Sequence, residues 1–221
     1  MGISVSIASV QTDDQHPIHR ILHKLLEDNR LALSLIPQDL PVTPDIFVIS
    51  KPEKRAWVSI VFPDEIRHLF WDCAQNLARR LGKPTFSFHV HEGHVWTYDL
   101  YDGEGELVDS FNSHPDVWER EGQSDDSELE GRPDVIVSVL GLDGPGEWKD
   151  HLVQAKDDSD ESEPAVWELA GFMEKLGMIY PDPDTEGDEW LGDKFIIEEE
   201  DEEEEGGFDR IPRGHHPPQG F

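Results

Sequence analysis

The chain has 221 residues, 36% of them apolar, enough for one domain of ordinary size with or without a tail. Its 49 Asp and Glu against 18 Lys and Arg leave a net charge of −31 with neutral histidines, which disfavours direct binding to nucleic acid, where affinity comes mainly from basic side chains. No run of about 18 apolar residues is present to span a membrane, and the single cysteine, Cys73, leaves no intramolecular disulfide to form, as expected in a reduced, cytoplasmic setting.

The first predicted element is a strand, because Ile3, Val5 and Ile7 alternate with small polar residues. Pro17 sits where it can open a helix without wasting an N–H, and Ile18, Ile21, Leu22, Leu25 and Leu26 follow at helical spacing. Leu31, Leu33 and Leu35 return to alternation and predict a short strand before a Pro37–Pro44 loop. Two further strands are expected at Ile46–Ser50 and Trp57–Phe62, joined by KPEKR. From Asp64 to Leu81 an apolar stripe of Ile66, Leu69, Phe70, Cys73, Ala74, Leu77 and Leu81 predicts a helix. Acids lie in its first turn, arginines in its last, and Gly82 and Pro84 follow, all in agreement with the helix dipole. Cys73 belongs to that stripe and reads as a small buried hydrophobe rather than a reactive thiol.

A three-stranded meander is expected next, over about residues 85–112. Its strands are Thr85–His91, His94–Tyr101 and Glu106–Asn112, with turns at Glu92-Gly93 and at DGEG. A two-residue turn at Glu92-Gly93 sets His91 opposite His94 and His89 opposite Trp96. One face then carries Ser87, His89, His91, His94, Trp96 and Tyr98, and the other Phe86, Phe88, Val90, Val95, Thr97 and Asp99. Three imidazoles that close suit a divalent metal such as zinc, with Glu92 or Asp109 adding a carboxylate. The competing expectation is structural: His91 and His94 solvated at the tip, His89 stacked on Trp96, and no cofactor.

Beyond the meander the composition changes. Residues 121–221 hold 31 acids against 7 bases, a charge of −24, whereas residues 1–120 hold 18 against 11, a charge of −7. Acidic loops are expected near 121–131 and 157–163, with short helices at Pro133–Leu140 and Glu147–Lys156. A clearer helix follows at Pro164–Leu176, striped by Val166, Leu169, Ala170, Met173 and Leu176. The division expected is a single α+β domain over 1–180, with a mostly antiparallel sheet and helices on at least one face, and a disordered acidic tail over 181–221.

No nucleophile elbow, phosphate-binding loop or paired metal-ligand motif occurs. The leading functional expectation is therefore a non-enzymatic binding protein for a basic protein partner, as an inhibitor, immunity-like partner, nucleic-acid mimic or escort. Contact would run through Glu198, Glu199, Glu200, Asp201, Glu202, Glu203, Glu204 and Glu205 in the tail and Asp125 and Asp126 in a loop. The alternative is a metal-binding or metal-dependent hydrolytic module centred on His89, His91 and His94.

Overall fold

The alternating segments assemble into one sheet in which every strand pairing is antiparallel. The computed structural model describes residues 4–37, 46–50, 57–115, 129–157, 165–180 and 192–199. Its strands are β1 (Val5–Val10), β2 (Leu31–Leu35), β3 (Ile46–Ser50), β4 (Val58–Phe62), β5 (Thr85–His91), β6 (Val95–Tyr101), β7 (Leu107–Asn112) and β8 (Gly192–Glu199). Their order across the sheet is β2-β8-β3-β4-β1-β5-β6-β7. The meander forms one end, β1 runs through the middle, and the last strand in sequence threads between β2 and β3.

Helices cover both faces. On one lie α1 (His16–Glu27), a 3₁₀ segment at Asp64–Leu69, and α2 (Phe70–Leu81). Their apolar stripes, led by Ile18, Leu22, Leu26, Phe70, Cys73 and Leu77, pack with Ala8, Val10, Val58 and Ile60 of the sheet. The helix expected at Asp64–Leu81 thus begins as a tighter 3₁₀ segment, and ends as expected at Gly82, which takes the left-handed conformation at φ 63°. The opposite face carries α3 (Pro133–Leu140), α4 (Gly146–Asp157) and α5 (Ala165–Lys175). Their Ile136, Trp148, Leu152, Leu169 and Phe172 pack with Phe86, Phe88, Trp96, Tyr98 and Phe111. Phe172 is the centre of this aromatic layer, lying 5.4 Å from Trp96, 5.5 Å from Tyr98 and 5.8 Å from Trp148 between ring centroids. The stripe expected for α5 omitted Phe172, the side chain on which the layer is built.

A central strand covered on both sides must satisfy its polar side chains internally. Ser9 bonds Ser59 across the β1–β4 ladder at 2.8 Å, and the Ser6 hydroxyl lies 3.0 Å from Nδ1 of His89. Cys73 is fully buried, and burial pushes its thiol pKa up, so it stays protonated as the helical stripe implied.

The expected boundary at 181 needs correction. Gly192–Glu199 falls inside the segment assigned to the tail, yet it pairs with β2 on one side and β3 on the other. The stretch DKFII escaped notice because acids flank it on both sides. Phe195 is buried beneath α1, where its ring meets His19 edge-on at 5.5 Å. Beside it, Gln15 donates to the Asp193 carboxylate at 3.1 Å. Burial of Phe195 and Ile197 between two partner strands supplies what an acidic segment alone lacks. Residues 181–191 and 200–221, the remainder of the expected tail, lie outside the described residues, as do 116–128 and 158–164, which include most of both acidic loops.

Candidate functional site

The histidine hairpin was the sharpest chemical candidate, and its register decides what it can do. Glu92 and Gly93 both carry positive φ, 51° and 77°, and His94 N–H donates to the His91 carbonyl at 3.0 Å, so the tight turn forms where expected. The ladder beyond it, however, pairs His91 with Val95, Val90 with Trp96 and His89 with Thr97. His94 is an extra residue on the second strand, and this one-residue offset moves all of β6 to the other face. Trp96, Tyr98 and Leu100 thereby join Phe86, Phe88 and Val90 against α5, while His89 and His91 face α2 with Val95 and Asp99. The reason is apolar area: the shifted register gathers six large side chains on one face, where the unshifted one divides them. The same count was available from the residues themselves.

The three imidazoles therefore do not converge. His94 is exposed on the turn, and His89 and His91 lie along one strand with ring centroids 6.1 Å apart. Asp109 stands on the opposite face, hydrogen-bonded to Tyr98. Among the described residues no group of three or more His, Cys, Asp or Glu side chains is placed to hold a metal ion. His89 does not stack on Trp96 either. It lies flat against Phe70, with centroids 5.7 Å apart, and beside Trp71 at 6.2 Å. Burial, assisted by His91 and Arg67, lowers its pKa to about 4, so it is neutral at physiological pH.

A second polar group sits where the meander meets α3. The Asp109 carboxylate accepts from the Tyr98 hydroxyl at 2.7 Å and from the Arg132 backbone N–H at 3.0 Å, and Arg132 Nε lies 3.2 Å away. Arg132 also donates to the Val108 carbonyl. Burial raises the Asp109 pKa against the lowering effect of these donors, and burial together with the neighbouring Asp109 raises that of Tyr98. One residue along the same pair of strands, the Ser110 hydroxyl donates to Asp99 at 2.7 Å on the other face. Such groups hold elements together: each carboxylate is occupied by the hydroxyl beside it, and Asp109 anchors the N-terminus of α3, where negative charge is favoured. A third chain of contacts links α4 and α5. Trp96 Nε1 donates to Glu168 at 2.9 Å, and His151 lies 3.3 Å from the Glu168 carbonyl and 3.1 Å from Lys175 Nζ. These bonds are consistent with one tautomer, Nε2–H donating to the carbonyl and Nδ1 accepting from the ammonium. Burial, then the Lys175 charge, lowers the His151 pKa.

Of the acidic residues expected to meet a partner, Glu198 and Glu199 are the last two of β8, opposite Ala32 and Leu31. Glu200, Asp201, Glu202, Glu203, Glu204, Glu205, Asp125 and Asp126 lie outside the described residues. Among the described residues no helix is long and apolar enough to cross a membrane. What the sequence reading missed is the position of β8, which brings the start of the anionic run to the corner of the sheet beside β2. The alternation of Phe195 and Ile197 was the available signal. No family model, curated protein or solved structure matches the chain.

Proposed function

We propose that this is a non-enzymatic, acidic binding protein of the cytoplasm that engages a basic protein surface. The observation that supports it is the distribution of charge: residues 121–221 hold −24 of the total of −31. Eight consecutive acids at 198–205 begin on the last two residues of a strand that is part of the folded sheet. An anionic surface of this kind attracts a cationic partner over roughly the Debye length, about 8 Å at physiological salt, and raises the association rate. Among the described residues the buried carboxylates of Asp99 and Asp109 are each held by a neighbouring hydroxyl, which suits a scaffold more than a reaction centre.

The test uses the immobilised full chain in cell extract, with captured proteins identified by mass spectrometry. Enrichment of basic proteins at about 50 mM NaCl, and their release by about 500 mM, is the expected result. A second chain, with the acids at 198–205 changed to Gln and Asn, should lose most of that capture. Recovery of no basic protein at any salt, or equal recovery by both chains, would refute the reading.

A further inference from the structure

We propose that the partner docks by strand addition: an extended segment of it, apolar at alternate positions and bearing Lys or Arg, pairs with the outer edge of β2. This inference rests on the reading above and specifies its mode of contact. The backbone of β2 alternates in direction. Ile36 N–H donates to the Lys194 carbonyl at 3.0 Å, so the even-numbered residues turn their N–H and C=O groups toward β8. Leu31, Leu33 and Leu35 turn theirs outward, and among the described residues no partner meets them. That row of donors and acceptors is a template for another strand.

Among the described residues, three of the devices that normally blunt an edge are missing from this one. Within LALSL there is no charge and no proline, and its pairing with β8 runs without a bulge. The other end of the sheet differs. The ladder joining β7 to its neighbour is irregular at Leu100/Tyr101, Phe111 of β7 forms a bridge with Glu130, and Gly131 N–H donates to the Ser110 carbonyl. Leu35 is 68% exposed beside the edge, and Ile196, one strand in, is 40% exposed on the other face. An added strand would lay apolar side chains next to Leu31, Leu33 and Leu35.

Charge selects the occupant. Glu199 pairs with Leu31 and Glu198 with Ala32, so the anionic run 198–205 starts at the Leu31 end of the edge, two strand spacings or about 10 Å from an added strand. A basic segment gains attraction there. A second copy of this chain would bring two chains of −31 together, which like-charge repulsion opposes.

The experiment follows backbone amide exchange in the full chain with a capped peptide of about seven alternating lysine and valine residues. At about 20 mM NaCl the amides of Leu31, Leu33 and Leu35 should slow by about tenfold or more. A peptide of the same side-chain sequence, N-methylated at every residue so that neither edge can donate, should leave them unchanged. Leu35→Lys, a change at an exposed site, should weaken peptide binding about tenfold while leaving the unfolding temperature intact. Salt-sensitive binding that protects other amides, or that the N-methylated peptide matches, would overturn the strand-addition inference while leaving the basic-partner reading in place. Absence of binding at low salt would count against both. A free protein that sediments as a dimer with these three amides already protected would assign the edge to a second copy and overturn the proposal.

Discussion

Individual residues here matter most where backbone and side chain must share a tight space. Gly131 turns the chain into α3 at φ 71°, a conformation that costs most residues about 1 kcal/mol or more. A Cβ at this position would stand 2.8 Å from both the Tyr98 hydroxyl and Leu152 Cδ1, and 3.2 Å from Phe111 Cδ2. Gly131→Ala should therefore strain the backbone and disturb the Tyr98–Asp109 bond together, lowering stability by about 3 kcal/mol in urea unfolding. A loss under about 1 kcal/mol would show that the aromatic layer can yield there. His89 makes a prediction of a different kind. Its pKa in the fold is about 4, against about 6.5 in an unfolded chain. Between those values the unfolded state binds the proton and the folded state does not. Its contribution is therefore complete above about pH 6.5 and lost as pH falls toward 4, on the order of 3 kcal/mol in all. Urea unfolding of the protein and of His89→Gln, compared between about pH 7.5 and 4.5, isolates the effect, since the carboxylates are common to both. Parallel curves would mean that His89 titrates normally.

Among the elements, β8 carries the largest consequence, because without it β2 has no neighbour and β3 loses one of its two. A chain stopped after Tyr180 should expose the α1 face around Leu31 and Leu33 and unfold at markedly lower urea than one stopped after Glu199. Phe195→Ala in the full chain should cost about 3 to 5 kcal/mol, the range for a buried phenylalanine. Equal midpoints for the two truncated chains would show that β8 contributes no stability. This strand also marks where the sequence stops being readable. The helices at 16–27, 70–81 and 165–175 announced themselves through periodicity and termination, and the meander through its turns. β8 did not, because Asp193, Lys194, Glu198 and Glu199 outweigh Phe195, Ile196 and Ile197 in any composition window. Its stability comes from two partner strands distant in sequence. The hairpin differs: the turn is legible locally at Glu92-Gly93, and the register is legible too once Phe86, Phe88, Val90, Trp96, Tyr98 and Leu100 are counted as one apolar face, the face that meets Phe172 of α5. At the candidate site, histidine proximity along the chain leaves a metal centre open beside the leading structural reading, and the bulged residue, His94, carries one of the three imidazoles away from the other two.

For the molecule as a whole, charge acts on stability as well as on partners. The described ion pairs are few and mostly exposed, such as Lys24–Asp28 at 2.8 Å and Lys24–Glu27 at 3.7 Å, and exposed pairs contribute little each. Arg132–Asp109, at 3.2 Å, has one buried partner and is supported by further hydrogen bonds, so salt reaches it less. Against these stands a net charge of −31 whose mutual repulsion opposes the compact state. Screening should remove more repulsion than attraction. The unfolding temperature should therefore rise by several degrees between about 20 and 300 mM NaCl and then flatten, as the Debye length falls from about 20 Å to below 6 Å. The direction distinguishes two roles for the acidic residues. Carboxylates held in attractive networks would make the protein less stable as salt is added. Carboxylates left uncompensated until a cation arrives would make it more stable, and would make a basic partner substitute for salt: a polycation at micromolar concentration should raise the unfolding temperature at low salt and do little at high salt. A fall in unfolding temperature on adding NaCl would place the attractive pairs, not the surplus, in control of the fold.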